Sequence, residues 1–284
     1  MKSCTRVCCG VAAAIFIFIA GTARATNAPT NLVATAVSNN QINLTWTDNS
    51  TDEEGFTFMV DTNAAFTNPS YVWTGGANTT SYSHTSRSTA TTYYYKIKAE
   101  GSPDSTWTSA ASATTAPASL AAAATSNSAV GLTWTGNGSN ANITGYTYAY
   151  ANNSAFTGAT YIFVSGNTSS STSRTGLGTA TTYWWKIKAE GLTDALDSPF
   201  TSAVAATTTP ASLGATTVSS SQINLSWSGN SGNSNLTGYT YAVATNANFT
   251  GASYRFVSGA GATSASDTSV IAGTTYYYKI KAEG

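Results

Sequence analysis

The pattern of apolar and polar positions changes character after residue 25. Val11 to Ala20 form an unbroken apolar run behind Lys2 and Arg6, and Ala23-Arg24-Ala25 follows with small residues at alternate positions. A basic start, a short apolar run and a small-x-small end predict a signal peptide at residues 1–25, because a bilayer span needs about 20 apolar residues. Beyond it, apolar residues alternate with polar ones. Ile42-Asn-Leu-Thr-Trp46, Tyr146-Thr-Tyr-Ala-Tyr150 and Tyr93-Tyr-Tyr-Lys-Ile-Lys-Ala99 read with period 2 and are rich in aromatic and β-branched residues, which predicts strands. Clusters such as Gly136-Asn-Gly-Ser-Asn140 and Ser228-Gly-Asn-Ser-Gly-Asn233 separate the strands as turns. No window carries the i, i+3, i+4, i+7 apolar stripe of an amphipathic helix.

The same strands return three times. Gln41–Trp46, Ala129–Trp134 and Gln222–Trp227 read QINLTW, AVGLTW and QINLSW, each behind a Pro-x-x-Leu start at Pro29, Pro117 and Pro210. Thr91–Gly101, Thr181–Gly191 and Thr274–Gly284 all end in KIKAEG. A spacing near 90 residues is too long for a solenoid repeat of roughly 20–50 and suits complete small domains in series. The expected domains are 28–115, 116–208 and 209–284. In the first two repeats KIKAEG is followed by a further strand within Ser109–Thr115 and Ser202–Thr208, so the third is expected to be incomplete by one strand. Proline at each short joint favours a semi-rigid connection.

Alternation also assigns faces. In the strand at residues 93–99, Tyr93, Tyr95, Ile97 and Ala99 share one side and Tyr94, Lys96 and Lys98 the other; lysines stay in solvent, so the first set is inward. The expected core of the first repeat is Trp46, Phe56, Phe58, Tyr95 and Ile97. Its counterparts are Trp134, Tyr146, Tyr148, Trp185 and Ile187, then Trp227, Tyr239, Tyr241, Tyr278 and Ile280. Each buried aromatic removes about 150–250 Å² from water, which gives a small domain without disulfides a usable core.

The early Pro-x-x-Leu, the tryptophan on the second strand, the Gly-aromatic pairs at Gly55, Gly145 and Gly238, and the Tyr-x-x-x-Ile-x-Ala strand together resemble the fibronectin type III family. The resemblance covers residues 28–284. It implies an all-β fold of tandem immunoglobulin-like β-sandwiches, with Tyr93, Tyr183 and Tyr276 as tyrosine corners whose hydroxyls tie back to the preceding loop. Antibody-type domains instead place the tryptophan on the third strand beside a disulfide. The adhesive Arg-Gly-Asp triplet of the family is absent.

Composition narrows the chemistry. Cys4, Cys8 and Cys9 all precede residue 25, leaving no disulfide, thiol nucleophile or thiolate metal site beyond it. Removing Lys2, Arg6 and Arg24 leaves 9 basic against 12 acidic residues, a net charge of −3. With only 8% charged residues and no basic patch, nucleic acid is not an expected partner. His84 is the only histidine, which excludes a His-based triad, and its polar stretch Ser81-Tyr-Ser-His-Thr85 reads as solvated. The acidic segment Asp48–Gly55 offers several oxygen ligands, but its spacing is not that of a calcium loop and the other repeats lack the acids. It reads as a solvated loop, and Glu53 and Glu54 lack the cleft that paired catalytic carboxylates need. Asn-x-Ser/Thr triplets at Asn43, Asn78, Asn142, Asn224 and Asn235 are expected by chance in a chain this rich in those residues.

Outward aromatics are the remaining candidates. Tyr94, Trp184 and Tyr277 hold one solvent-facing position in each repeat and could stack on a sugar ring or pack on an adjacent domain. On the neighbouring strand lie Tyr71, Trp73, Tyr161, Phe163, Tyr254 and Phe256, some of them inward. The expectation is an exported, non-catalytic spacer or interaction module, possessing no cofactor and no membrane span past residue 25, with a protein or glycan partner. The alternative is an accessory, carbohydrate-binding or spacer region of a larger secreted polysaccharide-processing enzyme.

Overall fold

The computed structural model describes residues 26–284, and the expected signal peptide lies outside the described residues. The first repeat folds as β1 (Thr30–Ala36), β2 (Ile42–Thr47), β3 (Gly55–Asp61), β4 (Ser70–Trp73), β5 (Ser81–His84), β6 (Thr92–Glu100) and β7 (Ala111–Thr114). The second gives β8 (Ala118–Ala124), β9 (Val130–Thr135), β10 (Ile143–Ala151), β11 (Thr160–Ser165), β12 (Ser171–Arg174), β13 (Thr182–Gly191) and β14 (Val204–Thr207), plus one 3-10 turn at Asp194–Leu196. The third gives β15 (Ala211–Ser219), β16 (Gln222–Ser228), β17 (Gly238–Ala244), β18 (Ser253–Ser258), β19 (Ser264–Asp267) and β20 (Tyr277–Glu283).

The chain is all-β, and its sheets come in pairs. Sheet β1-β2-β5 faces sheet β4-β3-β6-β7, and β8-β9-β12 faces β11-β10-β13-β14. The third pair is β15-β16-β19 and β18-β17-β20, and among the described residues no strand lies beyond β20. This is the seven-strand immunoglobulin-like sandwich, with six strands in the third unit. No helix among the described residues is long and apolar enough to cross a membrane.

The Pro-x-x-Leu start has a specific backbone role. Asn31, Ser119 and Ser212 sit in the left-handed region at φ 55, 53 and 56. Pairing slips at the same place, between Thr30 and Val33, Ala118 and Ala121, and Ala211 and Gly214. The bulge turns Leu32, Leu120 and Leu213 onto the cores.

Each core is an aromatic layer between the two sheets. Trp46 packs on Phe56 with ring centroids 5.4 Å apart, Trp134 on Tyr146 at 5.5 Å, and Trp227 on Tyr239 at 5.6 Å. The two Tyr hydroxyls need a place that Phe56 does not. Tyr146 accepts from the Asn137 amide at 3.0 Å and donates to the Asn167 carbonyl at 3.0 Å; Tyr239 does the same with Asn230 and Ala260 at 2.8 Å each. A Cβ on Gly136 or Gly229 would strike those hydroxyls, whereas the first repeat, with Phe56, carries Asp48 at the matching place. The corner tyrosines close as the resemblance implies. Tyr93, Tyr183 and Tyr276 accept from the amides of Ser88, Gly178 and Ile271 at 2.9, 3.0 and 3.0 Å.

The expected core residues of the first two repeats are all buried, as are Trp227, Tyr239 and Tyr241. Tyr278 and Ile280 are only half-buried, because the strand that would cover this side of β20 is not there among the described residues. Trp134→Ala removes the largest inward ring of β9 and is expected to destabilise the second domain by about 3–5 kcal/mol. Denaturant unfolding followed on second-domain amides checks this, and an unchanged midpoint would mean that the ring contributes nothing to the layer.

Candidate functional site

The outer face of each four- or three-stranded sheet carries one composition in three copies. Register places Trp73, Thr57 and Lys98 in one row and Tyr71, Met59 and Lys96 in the next. In the second unit the rows are Phe163-Thr147-Lys188 and Tyr161-Ala149-Lys186; in the third they are Phe256-Thr240-Lys281 and Tyr254-Ala242-Lys279. The six aromatics are 50–61% exposed. None is inward, contrary to the expectation that some would be; in the first two units the residue between them, Val72 or Ile162, packs on the core instead, whereas in the third that residue is the exposed Arg255 and Val257, one place beyond Phe256, packs there. Strand pleat admits one face to the core, and both aromatics of each pair stand on the other.

These rings lie down on the sheet. A Cβ on Gly55, Gly145 or Gly238 would fall within 2.9 Å of the ring of Trp73, Phe163 or Phe256, so glycine is what allows each ring to lie flat. Tyr71 leans on Trp107 at 6.1 Å and Tyr161 on Phe200 at 6.2 Å. The upper lysines are capped by a further ring: Lys96 over Phe66 at 4.9 Å, Lys186 over Phe156 at 4.3 Å, Lys279 over Phe249 at 4.4 Å. Each of these phenylalanines holds a left-handed backbone, at φ 52, 57 and 57, which is strained for a bulky residue. In the second and third units an asparagine fixes the turn: Asn153 and Asn246 each accept from and donate to the backbone of Thr157 and Thr250.

The lower lysines are neutralised locally. Lys98 contacts Asp104 and, at 3.2 Å, Glu100; Lys188 contacts Asp197 and, at 3.1 Å, Glu190; Lys281 reaches Glu283 at 2.9 Å. The bond to Asp104, helped by Glu100, holds the Lys98 ammonium above its ordinary pKa, and Lys98 holds the Asp104 carboxyl below its own. Burial pulls Lys188 down, but the bonds from Asp197 and Glu190 win and raise it. The face is therefore aromatic, hydroxyl-bearing and nearly neutral, suited to stacking rather than to anion capture.

Tyr94, Trp184 and Tyr277 lie on the same outer faces, at equivalent strand positions opposite Asp61, Ala151 and Ala244. The Tyr94 hydroxyl donates to Asn142 of the second domain at 3.3 Å and Tyr94 is half-buried, as is Trp184. Burial raises the Tyr94 pKa. Tyr277 remains 41% exposed. Beside Tyr94 a cleft of about 610 Å³ opens between the first two domains, lined among others by Asn63, Tyr93, Asn137, Ser139 and Asn142. Sequence reasoning missed this cleft, since its walls are contributed by loops some 50–80 residues apart.

Two expectations need correction. His84 is 7% exposed rather than solvated; its ring packs edge-on to Phe58 and Tyr95, with Nδ1 3.2 Å from the Tyr95 hydroxyl. The same position holds Arg174, whose guanidinium lies over Tyr150 at 5.2 Å, and Asp267, whose Oδ2 accepts from the Tyr278 hydroxyl at 3.1 Å. A polar residue facing the inner aromatics is thus built into all three units. The loop at Asp48–Gly55 is likewise not simply solvated. Ser50 and Glu53 are buried, Asp48 accepts from Ser50, and Glu53 accepts from the Asn78 amide at 2.8 Å. Burial pushes the Glu53 carboxyl up, but the bonds from Asn78 and Ser50 leave it below its ordinary pKa. Among the described residues no group of three or more His, Cys, Asp or Glu could hold a metal ion.

Burial, helped by the Arg87 charge, lowers the His84 pKa to about 4. The unfolded chain takes up the proton near pH 6.5 and the folded chain only near 4, so stability is full above 6.5 and is lost as pH falls between the two. At pH 5 the first domain is expected to lose about 2 kcal/mol. An NMR titration of the single imidazole checks this: a midpoint near 4 is expected, and one near 6.5 would contradict the buried placement.

No protein-family model matches the sequence, and no curated protein matches it. Among solved structures, the chain is similar to the chicken CNTN1 FN1-FN3 domains, at 18% identity over 92% of this chain and 94% of that one, with a TM-score of 0.29. It is also similar to a two fibronectin type III domain segment from chicken tenascin, at 14% identity over 64% of this chain and 100% of that one, with a TM-score of 0.38.

Proposed function

We propose that this chain is an exported, non-catalytic array of three fibronectin type III-like domains, at residues 28–115, 116–208 and 209–284. It acts as a semi-rigid spacer that holds repeated aromatic faces in fixed relation for an extracellular ligand. The observation that carries this reading is a joint built twice from the same parts. Ala90 and Ala180, at φ 45 and 44, belong to one domain in sequence but are buried in the core of the next. Asn140 donates to the Ala90 carbonyl at 3.0 Å and to Thr92 Oγ1 at 3.3 Å, and Asn233 to the Ala180 carbonyl at 3.0 Å and Thr182 Oγ1 at 3.1 Å. Asn137 and Asn230 add bonds to Thr91 and Thr181 Oγ1 at 2.8 and 2.9 Å.

The linkers are bonded as well. Thr115 donates its amide to the Thr91 carbonyl and its hydroxyl to the Ser88 carbonyl, while Ala116 donates to Ser38 and accepts from Ala90. Thr208 and Thr209 repeat this with Thr181, Gly178, Ser126 and Ala180. A buried amide that loses such partners costs about 1–3 kcal/mol, so the joint resists bending. In the first domain the loop between Trp46 and Gly55 is two residues shorter and holds one asparagine, Asn49, which stands where Asn137 and Asn230 do and donates to the Ala28 carbonyl at 2.9 Å.

The second reading, a carbohydrate-binding accessory region, is favoured by the exposed aromatics beside threonine, with Trp184, Tyr94 and Tyr277 on the same faces. Two tests separate the readings. Replacing Asn140 and Asn233 by Ala is expected to broaden the interdomain orientations seen by residual dipolar couplings while leaving each domain folded; unchanged orientations would remove the support for a stiff spacer. Retention on insoluble cellulose, chitin or xylan that is lost on Tyr161→Ala with Trp184→Ala would favour the carbohydrate reading. Hydrolysis of glycoside, ester or peptide substrates that a single substitution abolishes would overturn both.

A further inference from the structure

The cleft between the first two domains has a base that the joint builds and walls that the joint does not use. Thr91, Tyr93 and Asn140 are buried at its base, where Asn137 donates to Thr91 Oγ1 at 2.8 Å. One wall is the turn after β3, with Thr62 and Asn63; the other is the turn before β10, with Ser139 and Asn142. Its volume of about 610 Å³ lies within the roughly 300–1,000 Å³ usual for small-ligand sites. Among the described residues that line it, none is charged.

Two side-chain amides of these walls are free where their counterparts in other units are spent. Asn153 and Asn246 turn Nδ2 back onto the carbonyls of Thr157 and Thr250 at 2.9 Å each. Asn63, the matching residue of the first unit, does not close its turn in this way. Asp61, which stands where the other units have Ala151 and Ala244, takes over by accepting from the amides of Asn63 and Asn68 at 3.0 and 2.8 Å. Asn63 Oδ1 accepts from the Ala65 amide at 2.9 Å, and its Nδ2 bonds nothing among the described residues. On the opposite wall, Asn142 Oδ1 accepts from Tyr94 at 3.3 Å while its Nδ2 is free among the described residues. The matching Asn235 of the third unit spends its Nδ2 on Asn233 Oδ1 at 3.3 Å. At the base, the Tyr93 hydroxyl accepts from the Ser88 amide at 2.9 Å and keeps its own proton to donate.

We propose that this cleft is a binding site for a neutral mono- or disaccharide, held between Asn63 of the first domain and Asn142 of the second. Free amide donors beside serine, threonine and tyrosine hydroxyls, which can both give and accept, complement the hydroxyl groups of a sugar. An uncharged lining would leave the charge of an anionic ligand uncompensated, so it selects against one. The joint bonds hold the two walls at a fixed separation before the ligand arrives, which lowers the ordering cost of binding. Because its walls belong to different domains, the site rests on the stiff joint of the spacer reading. It shares the ligand class of the carbohydrate reading but not its surface.

The test titrates the full chain with cellobiose, xylobiose and N,N′-diacetylchitobiose, with calorimetry and the NMR signals of the side-chain amides as readouts. Saturable binding of at least one of them is expected, shifting the Nδ2 signals of Asn63 and Asn142 while those of Asn153 and Asn235 stay in place. Asn63→Ala and Asn142→Ala are each expected to weaken binding about fivefold or more, the worth of one hydrogen bond. Tyr161→Ala with Trp184→Ala is expected to leave it unchanged, which separates the cleft from the outer face. Residual dipolar couplings on the same sample report whether the joint is fixed. A fixed joint with no saturable binding of any of the three sugars would overturn the site and leave the spacer reading standing, whereas a mobile joint would overturn both. Binding that survives both asparagine substitutions would also overturn it, as would tighter binding of digalacturonate, which would make the ligand an acid.

Discussion

Every feature of this molecule hangs on one strand and its two-residue period. In β6 and β13 the inward side chains form the middle of the aromatic layer, and the outward ones include the lysines over which the rings of the outer face are arranged. The first turn of the strand anchors the tyrosine corner and supplies the threonines that receive asparagines from the next domain. Its far edge receives the last strand. A shift of one residue would exchange lysines for tyrosines across the core and dismantle all four arrangements together.

That dependence explains how a chain without cysteine past residue 25 holds three small domains. Stability is spread over ring contacts near 5.5 Å and over hydroxyls that satisfy backbone groups at strand edges and joints. Serine, threonine and asparagine stand where other proteins use charge. They bond loops, edges and neighbouring domains without the cost of burying an ion. The result is a surface of low charge on which flat aromatic rings are the prominent feature.

Much of the fold was legible because period 2 is a local property. Ile42, Leu44 and Trp46, or Tyr95 and Ile97, need only their neighbours in sequence to declare a face. His84 was misread because the polarity of Ser81-Tyr-Ser-His-Thr85 outweighed its alternation with Tyr82, which set both residues inward. The neighbouring-strand aromatics were expected to be partly inward because their own alternation went unused: Tyr71 and Trp73 are two residues apart and share a face, and the pleat gave the inward place to Val72. The joints were not legible at all beyond their prolines. A Gly-Asn-rich turn looks like any other turn until Asn140 is seen against Ala90, 50 residues earlier.

The account's central claim is that this strand needs a partner on both edges. Amide exchange at three equivalent isoleucines, Ile97, Ile187 and Ile280, tests it most directly. The first two donate to Thr108 and Thr201, and among the described residues no such hydroxyl reaches the third. Ile97 and Ile187 are expected to exchange only on opening of their whole domains, and Ile280 faster by orders of magnitude. Equal protection at all three in the monomeric chain would contradict the account.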